Sequence, residues 1–178
     1  EIVDEMFPGD IVGLHDTGTF KIGDTLTEGE ILQYKGIPNF SPEHFRYINN
    51  VDPMKSKQLN KGIEQLMDEG VAQLFTLELN NRKIIGTVGA LQYEVIQYRL
   101  EHEYGAKCSY ENINVHKACW IEPKDWKSEE FKEFKRVKSK FLAKDKTDQL
   151  VFLADSEFSL QMTQQKYPNI IFHFTSEF

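Results

Sequence analysis

The chain has 178 residues, 40% of them hydrophobic, 12% aromatic and 28% charged. That is an ordinary globular mixture with room for one domain or one and a half, and it excludes collagen-like and low-complexity chains. Its net charge of −7 would, if evenly spread, repel nucleic acid and anionic membranes. No apolar run approaches the ~20 residues of a membrane span. Residues Glu1 to Glu5 hold three acids and no basic leader region, which argues against a signal peptide.

Glycine punctuates the first 35 residues, at Gly9, Gly13, Gly18, Gly23 and Gly29. Between them lie short β-type runs at Ile11–Leu14, Thr19–Ile22 and Glu30–Tyr34, which we read as the last strands of an incomplete barrel-like domain. Asp10-Ile11-Val12-Gly13 matches a four-residue nucleotide-switch pattern, but an Asp there also serves a turn. Phe45 and Tyr47 mark an edge strand or extended segment over 43–48. Asp52-Pro53 starts a helix, because Asp accepts orphan amide hydrogen bonds and Pro has none to lose. Leu59, Ile63, Leu66 and Met67 give it one apolar face, and Gly70 supplies a left-handed cap.

A strand over 71–79, a turn at Asn80-Asn81-Arg82 and a return strand over 83–89 follow. From Ala90 the period becomes helical. Leu91, Val95 and Tyr98 form one line and Tyr93, Ile96, Leu100 and Tyr104 another, together a wide apolar face. Gly105 ends the helix, and 106–115 reads as a strand. Residues 39–115 thus spell strand, helix, strand, strand, helix, strand, the split βαβ order of a ferredoxin-like α+β sandwich. The remainder, 116–178, reads as an α/β extension. Ser128 caps a basic helix whose apolar positions run from Phe131 and Phe134 to Phe141 and Leu142. Leu150–Ala154 is a buried strand, Asp155 or Ser156 caps a helix through Lys166, and Ile170–Phe174 is a last strand. No repeat at fixed period is visible.

Motifs for chemistry are missing. There is no P-loop string, no Gly-x-Gly-x-x-Gly, no His-Glu-x-x-His and no Gly-x-Ser-x-Gly. Cys108, His116 and Cys119 lie close in sequence but fall short of four zinc ligands, and the two cysteines read as reduced thiols. The sequence therefore names no catalytic, cofactor-binding or metal-ligating residue. One charge feature stands out: residues 124–146 carry nine basic and five acidic side chains, so this window is +4 within a chain of −7. Lys132, Lys135 or Arg136, and Lys140 can share the predicted polar side of the helix, opposite Phe131, Phe134 and Phe141. They form either a solvated face or a phosphate-contact surface.

Several strings carry a family resemblance. Gly36-Ile37-Pro38-Asn39-Phe40-Ser41-Pro42-Glu43-His44-Phe45-Arg46, Gly86-Thr87-Val88-Gly89-Ala90-Leu91-Gln92-Tyr93-Glu94-Val95, Asp52-Pro53, Glu69-Gly70, Trp120 and Tyr167-Pro168 resemble the C-terminal part of bacterial peptide chain release factor three, a translational GTPase family. Pro8–Leu14 and Ile22–Leu26 resemble the end of that family's second, barrel domain. The resemblance implies residues 1–35 as terminal strands of the second domain and 36–178 as the C-terminal α+β domain. It implies a ribosome-docking and relay module in translation termination, promoting recycling of codon-reading release factors in the cytoplasm. Its partners would be rRNA, ribosomal proteins, the codon-reading factors indirectly, and the family's own N-terminal GTPase domain, with no membrane. GTP or GDP would sit in that N-terminal domain, leaving this chain without cofactor or catalysis. Lys132, Lys135, Arg136 and Lys140 become candidate ribosome contacts. The resemblance leads to an Arg directly before Trp120, where Cys119 stands instead. The competing reading is a ferredoxin-like small-molecule-binding or regulatory domain.

Overall fold

A computed structural model describes residues 5–15, 19–20, 24–32 and 40–176. The chain forms two compact units, residues 1–36 and 37–178.

In the first unit, Asp10 makes a turn: its amide donates to the Phe7 carbonyl (3.0 Å) and its carboxylate accepts from the Phe7 amide (2.8 Å). The described residues of this unit hold no strand, so the barrel ending is not found. Lys21, Ile22, Gln33 and Tyr34, the other halves of two expected strands, lie outside the described residues. The physical reason is pairing. A β-type run becomes a strand only when its amides and carbonyls meet a neighbour, and Ile11 and Ile31 are 100% and 98% exposed.

Among its described residues the second unit is a mixed α/β body with one open, fully antiparallel eight-stranded sheet and four α-helices. In chain order the elements are β1 (His44–Asn50), α1 (Ser56–Asp68), β2 (Gln73–Leu77), β3 (Lys83–Thr87), α2 (Gln92–Tyr104), β4 (Cys108–Asn112), β5 (Lys117–Pro123), α3 (Glu129–Val137), β6 (Leu142–Lys144), β7 (Leu150–Ala154), α4 (Glu157–Lys166) and β8 (Ile170–His173). The sheet order is β4-β1-β3-β2-β6-β7-β5-β8. Its two halves have the same order, read outward from the middle: the split βαβ arrangement occurs twice, the second time in what the sequence suggested was an extension. Two strands unmarked in the sequence, β5 and β6, complete the second copy. The halves join where β2 meets β6, with Thr76 opposite Lys144 and Leu77 opposite Ala143.

Local chemistry sets the boundaries. The Asp52 carboxylate accepts from the Met54 amide (3.0 Å) ahead of a short 3-10 turn at Pro53–Lys55 that leads into α1. Gly70 (φ 70°), Asn81 (φ 57°) and Gly105 (φ 62°) take left-handed conformations at the turns the sequence placed there. Helix α3 is shorter than its apolar spacing suggested. It stops at Val137; Phe141 sits in a 3-10 turn (Ser139–Phe141), and Leu142 opens β6. Strand β1 is interior, between β4 and β3, not an edge. Its polar residues find partners there: Arg46 lies over the Tyr93 ring at 4.6 Å, and Asn50 donates to the Ser56 hydroxyl at 2.8 Å.

Three apolar cores result. Helices α1 and α2 cover Ile48, Ile85 and Cys108. Helices α3 and α4 cover Cys119, Ile121, Leu142 and Phe152. The third core is made by the sheet alone: Phe45, Phe75, Leu77 and Ile84 from the first half meet Trp120, Ala143, Val151 and Leu153 from the second. Phe75 and Trp120 sit with ring centroids 6.4 Å apart. On a flat sheet, β2 and β5 would be three strand spacings apart, about 14 Å. The sheet is therefore strongly curled, with this core on its concave side and all four helices on its convex side.

Gly86 lies where the chain before β1 crosses β3. A Cβ there would meet the Pro42 ring at 2.5 Å and Phe75 at 3.0 Å. Gly86→Ala should cost ~1–3 kcal/mol from overpacking, read as a lower urea midpoint. Gly89→Ala, where the nearest atom lies 4.0 Å away, should stay within about 0.5 kcal/mol of the parent.

Candidate functional site

The basic surface is built on α3. Ser128 caps it, accepting from the Phe131 amide at 3.2 Å while donating to the Asp125 carbonyl at 2.8 Å. Glu129 and Glu130 fill the first turn and Lys135 and Arg136 the last, each at the favourable end of the helix dipole. Phe131 and Phe134 anchor the buried side, so Lys132, Lys135 and Arg136 face water. Lys140 lies in the following 3-10 turn rather than on the helix itself.

The four candidate cations are not equivalent. Lys132 pairs with Glu129 at 2.7 Å, and Lys135 approaches Glu78, beyond β2, at 3.6 Å. Arg136 and Lys140 lie outside ion-pair distance of every described acid, although Arg136 helps hold the Glu133 carboxyl low electrostatically. The helix's other acids are engaged elsewhere. Glu130 accepts from the amide and side chain of Asn169 (3.1 and 2.7 Å), and Glu133 pairs with Lys166 at 2.8 Å. The Lys166 hydrogen bond holds the Glu133 carboxyl below its ordinary range, so it stays ionised at neutral pH. Nearby, Lys138 lies over the Phe141 and Phe152 rings at 6.0 and 5.7 Å. This surface can meet a polyanion. It supplies no nucleophile beside a base.

The sequence missed a second surface. Of the two apolar lines on α2, only Tyr93, Ile96 and Leu100 are buried. Leu91, Val95 and Tyr98 are 74%, 50% and 62% exposed. One helix cannot turn both lines toward one sheet; the buried line packs Tyr93, Ile96 and Leu100 into the α1–α2 core, and the Tyr93 hydroxyl donates to the Ile85 carbonyl at 2.9 Å. A small cleft of about 140 Å³ lies beside the start of α2, lined by Met67, Val71, Thr87 and Gln92. The Gln92 side chain accepts from the Val88 and Gly89 amides and donates to the Val71 carbonyl, all at 2.9 Å. Those loop groups are thereby spent on the protein itself.

Among the described residues, no three His, Cys, Asp or Glu side chains could hold a metal ion. Cys108 and Cys119, the two cysteines of the weighed zinc set, sit in different helix-side cores. Burial raises both thiols, Cys119 to about 12. Cys119, at the position where the resemblance leads to Arg, is fully buried and offers no surface contact. Because only thiolate reacts, neither cysteine should react measurably with Ellman's reagent at pH 8 in the native chain. Two equivalents should appear on unfolding in guanidinium.

Among the described residues the α/β unit presents a charged and an apolar outer surface. A family model described as class II release factor RF3, C-terminal domain, matches residues 34–164. The chain belongs to that family and so has a role related to release factors in translation termination. The match is to a C-terminal domain, not to a catalytic one. No described helix is long and apolar enough to cross a membrane.

Proposed function

We propose that residues 37–178 dock a release factor of this family onto the ribosome and relay the state of its nucleotide-binding domain. The observation that carries this reading is the α3 surface: a locally positive strip on an acidic chain, on which Arg136 and Lys140 lie outside ion-pair distance of any described acid, Arg136 sharing only the longer-range field of Glu133, while Glu130 and Glu133 are hydrogen-bonded to Asn169 and Lys166. Such a strip reverses the chain's repulsion at one place and favours phosphate oxygens there. The second half of the sheet serves as the scaffold for the strip, because Phe131 and Phe134 of α3 pack on it. The partners are rRNA and ribosomal proteins in the cytoplasm, with codon-reading release factors affected indirectly. GTP and GDP belong to a domain outside this chain, so titration of the chain with either nucleotide is expected to give no binding heat. The small-molecule alternative has less support. The cleft beside α2 is about 140 Å³, against ~300–1,000 Å³ for ligand pockets.

The test is ribosome pelleting across a salt series. Arg136→Glu with Lys140→Glu should weaken association and flatten the slope of log affinity against log salt by about one per lost phosphate contact. Lys132→Glu should do less, because Lys132 already spends its charge on Glu129. Equal affinity and slope for all variants would return the strip to a solvated helix face.

A further inference from the structure

The segment just before β1 bonds to both halves of the sheet at once. Phe40 forms an antiparallel bridge with Thr175, just past β8, and the Ser41 amide donates to the Phe174 carbonyl at 3.3 Å. The Ser41 hydroxyl accepts from the Ala118 amide of β5 at 2.9 Å. Those partners belong to the second half. Toward the first half, the Phe40 carbonyl accepts from the Gln73 side chain of β2 at 2.6 Å. Pro42 lies on Gly86 of β3, where a Cβ would come within 2.5 Å of its ring. Besides this strap, the halves meet at β2 and β6, where the ladder is two residue pairs long and the Glu78 amide donates to the Leu142 carbonyl at 2.9 Å, in the concave core, and through the ion pairs of Lys135 with Glu78 and Lys146 with Asp68.

We propose that Phe40-Ser41-Pro42 is a strap that closes the curl of the sheet and locks the two halves into one body. It is also the place where the chain enters this unit. A pull or rotation arriving along the chain is applied to β2 and β3 and to β5 and β8 together, so it moves the body as a whole and carries α3 with it. The strap stands on geometry alone, and its use as the input of a relay rests on the docking reading above.

Residue-resolved amide hydrogen exchange on the 178-residue chain, without ribosomes, tests the strap separately from docking. Ser41→Ala combined with Gln73→Leu removes one side-chain tie to each half, the Ala118 bond and the Phe40 bond, and leaves only the backbone bonds to Phe174 and Thr175. Exchange should then rise about tenfold along β5, β8 and the facing ends of β2 and β3, while β4 and the α1–α2 pair keep their protection. Acceleration confined to the Ala118 amide, or spread evenly over the whole unit, would overturn the proposal. If that variant does not fold, Phe40→Cys with Thr175→Cys decides instead. Cys108 and Cys119 are buried and do not compete. The oxidised pair should slow exchange in both sets of strands about tenfold relative to the reduced pair, and identical exchange in the two redox states would reject the strap.

Discussion

The concave core between the two half-sheets is the constraint on which the rest of the unit depends. Phe45, Phe75 and Ile84 on one side and Trp120, Val151 and Leu153 on the other have no helix to cover them. Left apart, each half would expose a row of large apolar side chains, each worth ~1.5–3 kcal/mol of lost burial. The halves therefore fold against each other. Trp120 shows how specific this is. Its ring is 1% exposed, and its indole N–H leaves the apolar interior only to donate to the Asp145 carboxylate at 2.8 Å. Asp145 also accepts from the amides of Thr147 and Gln149 (2.8 and 3.0 Å), which orders the β6–β7 turn. One buried aromatic thus ties sheet closure to the shape of the turn near the seam.

Much of the local structure was legible in the sequence because it rests on local chemistry. The capped starts at Asp52 and Ser128, the cap at Asp155 or Ser156 that falls on Ser156, the left-handed turns at Gly70, Asn81 and Gly105, the buried face of α1 and the Phe131 and Phe134 part of the α3 face follow from residue type and spacing. The errors arose where tertiary contacts decide. Strand β6 is three residues long and follows a 3-10 turn, so Phe134, Phe141 and Leu142 mimic a longer helix. Strand β1 alternates apolar with polar residues as an edge strand would. Its polar side chains instead have partners in a ring face and a neighbouring hydroxyl.

The doubled architecture was illegible for a different reason. β1 and β5 begin at His44 and Lys117, but β4 and β8 begin at Cys108 and Ile170. The spacing between equivalent elements shortens steadily along the chain, so no fixed period survives. The side chains differ as well. Tyr93, Ile96 and Leu100 anchor α2, whereas Leu160 and Thr163 anchor α4. Equivalent backbone positions need only comparable burial, and a core of suitable volume accepts many combinations. The candidate site was partly legible on the same terms. Its cations and their shared polar side could be read from composition and helical period. Which of them remain uncompensated depends on Glu78, Lys166 and Asn169, all distant in sequence.

Those distant partners also explain how a chain of net charge −7 can present a positive surface. Lys166 from α4 and Asn169 from the turn before β8 hold Glu133 and Glu130 on the flank of α3, within hydrogen bonds that fix where their charge lies. The acids are not removed. They are turned toward the neighbouring elements, and the last turn of α3 with the 3-10 turn beyond it is left to Arg136 and Lys140. Being exposed, these cations are screened beyond roughly 8–10 Å at physiological salt. They act at contact range and contribute little at a distance. The α3 helix that carries Arg136 and leads to Lys140 is fixed to the sheet through Phe131 and Phe134, so their positions follow from the fold.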